Sequence, residues 1–397
     1  MTGRTLHLAL DGVRVVDLSR LLPGPFATML LGDMGAEVIK IEAPQGGDYA
    51  RWYQPFVGQM GAMFASINRN KRSVALDLKT QGGLEALRAL LSSADVLVES
   101  FRPGVLDRMG LGRQALAQDF PDLILCSISG YGQTGPLALE AGHDANYLAR
   151  AGVLGATGTP EGRAILPGFQ LADVGGGALY ATSAVLAALF ARSRGRQAAH
   201  LDISMTEGAL SFMLPTLARI SAGHVFRGPA CDMLDGGVPC YSIYETADGG
   251  HMALGALEPK FWAAFCDAVG WQDRHGDGLL MGDKARAVQA DLAALFKGRT
   301  RGEWAALLAD VDCCCEPVRR PEEVLDDPLF KARDVFFSLQ TPSASLVQTA
   351  TPLTPADRSG FRPPPHLGEH TREVLAEVGY DAARLDALIA SGGAAGR

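Results

Sequence analysis

Three segments place ionisable side chains in unusually apolar or glycine-rich surroundings. They are Ala141-Gly142-His143-Asp144-Ala145-Asn146-Tyr147-Leu148, Gln170-Leu171-Ala172-Asp173-Val174-Gly175-Gly176 and Ala256-Leu257-Glu258-Pro259-Lys260-Phe261-Trp262. An imidazole and carboxylates are the groups that pass a proton near neutral pH. Each residue also has an ordinary structural reading. His143 and Asp144 stand where a helix would be capped. Asp173 opens an apolar helix whose dipole favours a carboxylate. Glu258 follows an apolar strand, where residues line clefts or sit exposed in a first helical turn. Spacing alone does not bring the three segments together.

The elements that must position them alternate. Val13–Leu18, Glu37–Glu42, Ser73–Lys79, Asp95–Ser100 and Leu123–Ser129 read as strands, with helices at Pro25–Gly35 and Gly83–Ala94 between them. Such alternation predicts an α/β fold with a parallel sheet covered by helices. Asp144–Ala151 and Leu171–Arg192 read as helices and Ala198–Met205 as a strand. The character then changes. Val238–Thr246 and Gly250–Leu257 read as a hairpin around Ala247-Asp248-Gly249, followed by helices Pro259–Val269, Lys284–Phe296 and Arg301–Asp310. A large domain over 1–224, completed by 331–397, and a smaller α+β domain over 225–330 are expected. A final helix starts near Glu369, and the tail Ser391–Arg397 reads as disordered.

The chain has 397 residues and a net charge of −8, which argues against nucleic-acid binding as its main task. Seven cysteines, an odd number without a CxxC pair, indicate neither disulfides nor zinc, and no metal site is expected. Cys313-Cys314-Cys315 reads as part of a buried strand. Met1–Leu10 has no basic-then-apolar leader. The longest apolar stretch, Ala178–Ala191, reads as a buried helix too short to cross a bilayer. A soluble, cytoplasmic protein with no membrane partner is expected. No Gly-x-Gly-x-x-Gly follows the first strand, and Gly175-Gly176-Gly177 marks close backbone approach, to a helix or a ligand, rather than a phosphate cradle.

Several motifs are similar to those of the family III CoA-transferase (CaiB/BaiF-type) superfamily across nearly the whole chain. They include Leu10-Asp11-Gly12-Val13-Arg14-Val15-Val16-Asp17-Leu18, Gly24-Pro25, Asn68-Arg69-Asn70-Lys71-Arg72-Ser73, Phe101-Arg102-Pro103-Gly104, Ser129-Gly130-Tyr131-Gly132-Gln133-Thr134-Gly135-Pro136 and Leu367-Gly368-Glu369-His370-Thr371. Gly142-His143-Asp144-Ala145-Asn146-Tyr147, Leu234-Asp235-Gly236-Gly237-Val238-Pro239 and Gly255-Ala256-Leu257-Glu258-Pro259-Lys260-Phe261 resemble its α-methylacyl-CoA racemase branch. Transferases of the superfamily typically carry an aromatic residue where His143 stands, and both branches carry an aspartate where Asp173 stands. Where Ala43 stands, racemases often carry arginine; the Asn68–Ser73 segment, read as a helix, is more transferase-like.

The resemblance implies a Rossmann-like large domain in an interlocked homodimer, acting on an acyl-CoA. It implies that His143 and Asp173 exchange the α-proton, that Asp144 and Glu258 support them, and that Arg69, Lys71, Arg72 and Arg102 bind the CoA phosphates. No separate cofactor is needed, since coenzyme A is part of the substrate. The enolate-like intermediate needs donors for its oxygen, which backbone N–H groups at the start of the Asp173 helix could supply. The alternative is a transferase using Asp173 as nucleophile, through an acyl anhydride and an aspartyl-CoA thioester. A non-catalytic acyl-CoA-binding protein is a further alternative. Met205, Met213 and Met233 are either an adaptable surface for the acyl tail or core residues.

Overall fold

A computed structural model describes residues 8–197 and 199–396. Most of the Met1–Leu10 segment, Ala198 at the start of the expected strand, and Arg397 at the end of the tail lie outside the described residues.

In chain order, β1 (Arg14–Asp17), α1 (Pro23–Asp33), β2 (Glu37–Glu42), β3 (Lys71–Leu76), α2 (Gln81–Leu91), β4 (Val96–Glu99) and β5 (Ile124–Ser129) come first. Next are α3 (Asp144–Arg150), α4 (Ala172–Ser193), β6 (His200–Ser204) and α5 (Met205–Ser211). The hairpin β7 (Tyr241–Glu245) and β8 (His251–Gly255) follows, then α6 (Pro259–Val269), α7 (Gly282–Phe296), α8 (Arg301–Leu308) and β9 (Cys315–Pro317). The chain closes with β10 (Phe336–Gln340), β11 (Ser345–Thr349), α9 (Thr371–Glu377), α10 (Ala382–Ala390) and β12 (Ala394–Ala395).

Two compact units result. The first comprises Met1–Ala151, Phe169–Phe212 and Leu329–Arg397; the second comprises Gly152–Gly168 and Met213–Pro328. The second unit therefore begins earlier than the expected residue 225 and takes in 152–168 as well.

Unit 1 is built on a seven-stranded sheet in the order β12-β3-β2-β1-β4-β5-β6, all parallel except β12. Its parallel strands run 3-2-1-4-5-6, the order of a dinucleotide-binding fold, and the order reverses between β1 and β4. The strands β2 to β5 are buried along nearly their whole length, as a sheet covered by helices on both faces requires. One face packs Val16, Ile39, Val74, Leu97 and Leu125 under Ala86, Leu87, Leu90 and Leu91 of α2. Unit 2 carries the three-stranded sheet β9-β8-β7. Its core stacks Tyr244, Phe265, Phe296 and two fully buried tryptophans, Trp262 and Trp304.

Four local expectations are corrected. The tail is ordered enough to close the sheet, with Ala394 and Ala395 pairing antiparallel to Leu76 and Ala75 of β3. Asn68–Ser73 is not a helix, because β3 begins at Lys71. Of the adjacent cysteines only Cys313 is buried; Cys314 is exposed in a left-handed conformation (φ 50°). Finally, α4 spans 22 residues, long and apolar enough by length and composition to cross a membrane. It instead packs within unit 1, burying Gly175, Gly176, Gly177, Ala178, Ala181, Thr182 and Val185.

Candidate active site

Unit 1 brings His143, Asp144 and Asp173 together through one carboxylate. Asp144 Oδ1 accepts hydrogen bonds from the backbone N–H of Ala172 (2.7 Å) and of Asp173 (3.0 Å). Asp144 is the first residue of α3 but caps the start of α4, 28 residues away for the first of these bonds. The N–H groups expected to hold an enolate oxygen are thereby already occupied. His143 occupies the N-cap position of α3, where its own N–H is received by the Asn146 side chain (3.0 Å). Its ring is exposed and makes no ion pair among the described residues. That leaves the imidazole available to a ligand.

Asp173 is half-buried in the first turn of α4, whose opening residues Ala172–Leu179 form wider π-helical turns. Burial, and then the Asp144 carboxylate beside it, pushes its pKa from the ordinary 3.8 up to about 7. Tyr147 lies beneath, donating its hydroxyl to the Gly142 carbonyl (2.5 Å) with Tyr131 edge-on at 5.2 Å. Its pKa is pushed up to about 12, by burial first and then by Asp173.

Gly175-Gly176-Gly177 lets α5 press onto α4. A Cβ on Gly176 would lie 2.7 Å from the Met205 carbonyl oxygen, and one on Gly208 would lie 2.0 Å from the Gly176 oxygen. The glycines therefore serve helix packing. Met205 is buried against Gly177 and belongs to this core, whereas Met233 is exposed.

Glu258 lies in unit 2, at the N-cap of α6 before Pro259, exposed and with its side chain free of capping work. Cys314 feels its charge.

The cations expected on CoA phosphates have other occupations. Arg69 is fully buried and forms a two-bond pair with Asp33 (2.9 and 2.6 Å), with Gln348 on a third nitrogen (3.1 Å). Lys71 is buried against Asp17 (3.1 Å) and Asn68 (2.8 Å). Arg72 binds Glu37, Glu373 and Glu377. A phosphate at Arg69 or Lys71 would have to displace a buried carboxylate, which leaves an uncompensated charge in the interior. Arg102 differs: it is exposed, and its charge reaches Tyr147.

The spacing of motifs missed a crevice at the carboxyl ends of β1, β2, β3 and β4. Ser19, Arg20, Ala43, Asp77, Lys79, Phe101 and Met109 line it, at the point where strand order reverses. Arg20 is exposed there, with its guanidinium 5.5 Å from the Phe101 ring and 5.7 Å from that of Tyr49. Its loop is held from below. Fully buried Lys40 binds the Ser19 carbonyl (2.9 Å) and Asp48 (3.0 Å), and Asp48 in turn accepts from the Leu21 N–H (3.0 Å). Arg20 follows a strand end, the rule that picked out Glu258, and that signal would have found it.

The sequence profile of CoA-transferase family III matches residues 10–371. The chain belongs to that family. It is 36% identical over 378 residues to an alpha-methylacyl-CoA racemase of Mus musculus, covering 94% of each chain. It is also 32% identical over 396 residues to a succinyl-CoA:glutarate CoA-transferase of Mus musculus, covering 96% of this chain and 89% of that one. The crystal structure of a CAIB/BAIF family protein from Brucella suis superposes with a TM-score of 0.79 at 30% identity, over 93% of this chain and 99% of that one. Membership thus makes the chain an acyl-CoA enzyme of the family III transferase and racemase type, with a mixed α/β fold around a large parallel sheet.

Proposed function

We propose that this family III enzyme interconverts (R)- and (S)-2-methylacyl-CoA thioesters by removing and returning the α-proton. One observation carries the reading: an exposed imidazole, His143, immediately precedes Asp144, and burial together with the Asp144 carboxylate raises Asp173 to about 7. Inversion at carbon needs a base on one face and an acid on the other, each exchanging roles with direction. Asp173 fits, since its raised carboxyl can hold or lose a proton near neutral pH, and His143 supplies the second acid–base group. A 36% identical racemase supports this branch.

When Asp173 is the base, its carboxylate takes the α-proton and the His143 imidazolium delivers one to the opposite face. The reverse direction runs the same steps backwards. Asp144 keeps Asp173 in place through the backbone and keeps its pKa raised. Arg20, Lys79 and Arg102 are the exposed cations suited to the CoA phosphates, with the strand-end crevice taking the nucleotide. Coenzyme A is part of the substrate, and a proton transfer needs no electron carrier. We extend the proposal to a cytoplasmic homodimer, supported by the helix Leu214–Ser221, which buries none of its residues and exposes Leu214, Leu217 and Ile220.

The transferase reading remains the alternative, favoured by the 32% identical glutarate enzyme. There Asp173 attacks the thioester carbonyl and expels CoA; the CoA thiolate attacks the aspartyl carbonyl of the resulting anhydride and releases the first acid as its carboxylate; the acceptor carboxylate then attacks the aspartyl-CoA thioester, and the returning thiolate takes the new acyl group and frees Asp173. Incubation with an acyl-CoA and excess free dicarboxylic acid separates the two. The racemase reading predicts no CoA ester of the added acid; its steady formation, lost on Asp173→Ala and retained on His143→Ala, would overturn the reading.

A further inference from the structure

Glu99 is a buried carboxyl that the proton-transfer site does not use. It ends β4 and is 2% exposed. Ser127 of β5 lies beside it in register, Asp202 of β6 lies beside Ser127, and His200 lies beside Leu125. Side chains alternate along a strand, so all four share the sheet face that carries Leu97 and Leu125.

These groups are joined. The Ser127 hydroxyl bonds the Glu99 carboxyl, and His200 Nε2 lies 3.2 Å from the same hydroxyl. On its other side, Glu99 Oε2 accepts the Phe101 N–H (2.8 Å). Burial, with Asp202 adding to it, pushes the Glu99 pKa from the ordinary 4.5 up to about 7. His200 is half-buried and held below its ordinary range by burial first and then by Arg113 of the helix Arg113–Asp119, with Asp202 opposing. Cys126, the next residue of β5 before Ser127, is pushed up by burial first and then by Glu99.

A hydroxyl has one hydrogen and lone pairs to receive another, so the chain has two complete arrangements. With Glu99 ionised, Ser127 donates to it and accepts from His200 Nε2–H. With Glu99 protonated, the acid donates to Ser127, and the hydroxyl donates to His200 Nε2, whose ring proton now sits on Nδ1. A proton taken up at Nδ1 thus appears on Glu99: one proton passes from Nε2 to Oγ and one from Oγ to the carboxylate. Neither arrangement leaves a member of the chain unpaired.

What changes is the grip on Phe101. An N–H bond to a carboxylate is roughly twice as strong as one to a neutral acceptor. Phe101 lines the strand-end crevice, with the Arg20 guanidinium 5.5 Å from its ring, and Arg102 follows it. Resting on the placement of CoA in that crevice, we propose that Glu99 is a positioning residue of the CoA site. It fixes the Phe101–Gly104 loop, and a proton arriving through His200 and Ser127 loosens it.

The test follows two readouts from about pH 5 to about pH 9, either side of the Glu99 value. Hydrogen-exchange mass spectrometry reads the protection of the Phe101 amide, corrected for intrinsic exchange. Calorimetry reads the affinity for desulfo-CoA, which has no thiol to react. Protection should rise with pH by about fivefold in the wild type. Glu99→Gln keeps an oxygen for Phe101 but cannot ionise, so its protection should stay flat. The affinity gain should be about fivefold larger in the wild type than in Glu99→Gln, a comparison that cancels titration of the CoA phosphates. Ser127→Ala removes the donor to ionised Glu99 and should move both midpoints to higher pH, which a general loss of packing does not do. It also decides the matter if Glu99→Gln folds poorly. Protection that follows pH alike in the wild type and Glu99→Gln, or midpoints unmoved in Ser127→Ala, overturns the proposal. Protection as expected, with affinity unaltered by Glu99→Gln, supports the relay and overturns the placement of CoA in the crevice.

Discussion

Asp144 Oδ1 lies 3.0 Å from the Asp173 backbone nitrogen and accepts its hydrogen bond. The same carboxylate raises the Asp173 pKa and fixes the helix turn that carries it. One side chain thus fixes the position and adds to what burial does to the acidity. Asp144→Asn keeps an oxygen for the two N–H groups but removes the charge. It should lower the Asp173 pKa and shift the pH–rate limb assigned to Asp173 to lower pH. Asp144→Ala should in addition lower stability by about 1 kcal/mol through the lost cap, read as the denaturation midpoint.

The pH dependence follows from Asp173 itself. In the direction where it is the base, the rate should rise with pH through about 7; where it is the acid, the rate should fall above about 7. Stability runs the same way for a raised carboxyl. Between 3.8 and about 7 the folded chain keeps a proton that the unfolded chain has released. This contribution is full below 3.8 and is lost as pH rises to about 7. Asp173→Asn should therefore abolish turnover. It should also stabilise the protein at pH 8, by roughly 1–2 kcal/mol after discounting for solvent screening, and bring no gain at pH 4. Parallel thermal melts check both.

Much of this was legible in the sequence, and the misses share a cause. β2 and α6 fall on the residues predicted, because a β-branched run and a Pro-led amphipathic stretch declare themselves locally. β12 went unread because Ala394-Ala395, in a run of glycines and alanines, has no strand signal; it is recruited by the edge of β3. The basic run Arg69–Arg72 looks the same whether it faces phosphate or interior carboxylates. Its partner Asp33 is 36 residues away from Arg69. That Asp144 caps α4 rather than α3 is likewise a tertiary fact.

The two classes of cation should separate experimentally. Arg69→Met leaves Asp33 buried and unpaired and should lower stability by about 3–5 kcal/mol. Arg20→Ala removes an exposed side chain and should leave the melting temperature within a degree or two, since such changes stay within about 0.5 kcal/mol. It should raise KM for acyl-CoA about tenfold, with kcat little changed. A KM unaffected by Arg20→Ala would remove the crevice from the CoA site.

His143→Ala should cost little stability, because the ring is exposed. Its rate of α-proton exchange should fall by about 10²–10⁴. Circular dichroism and melting temperature, measured alongside, show that the fold is intact.

The most direct measurement uses one enantiomer of a 2-methylacyl-CoA in heavy water, with no acceptor acid, following the α-proton by NMR and the enantiomer ratio by chiral separation. The account predicts deuterium uptake at the α-carbon with drift to a mixture of both enantiomers, and loss of both in His143→Ala and Asp173→Asn. A substrate that keeps its α-proton and its configuration would contradict it.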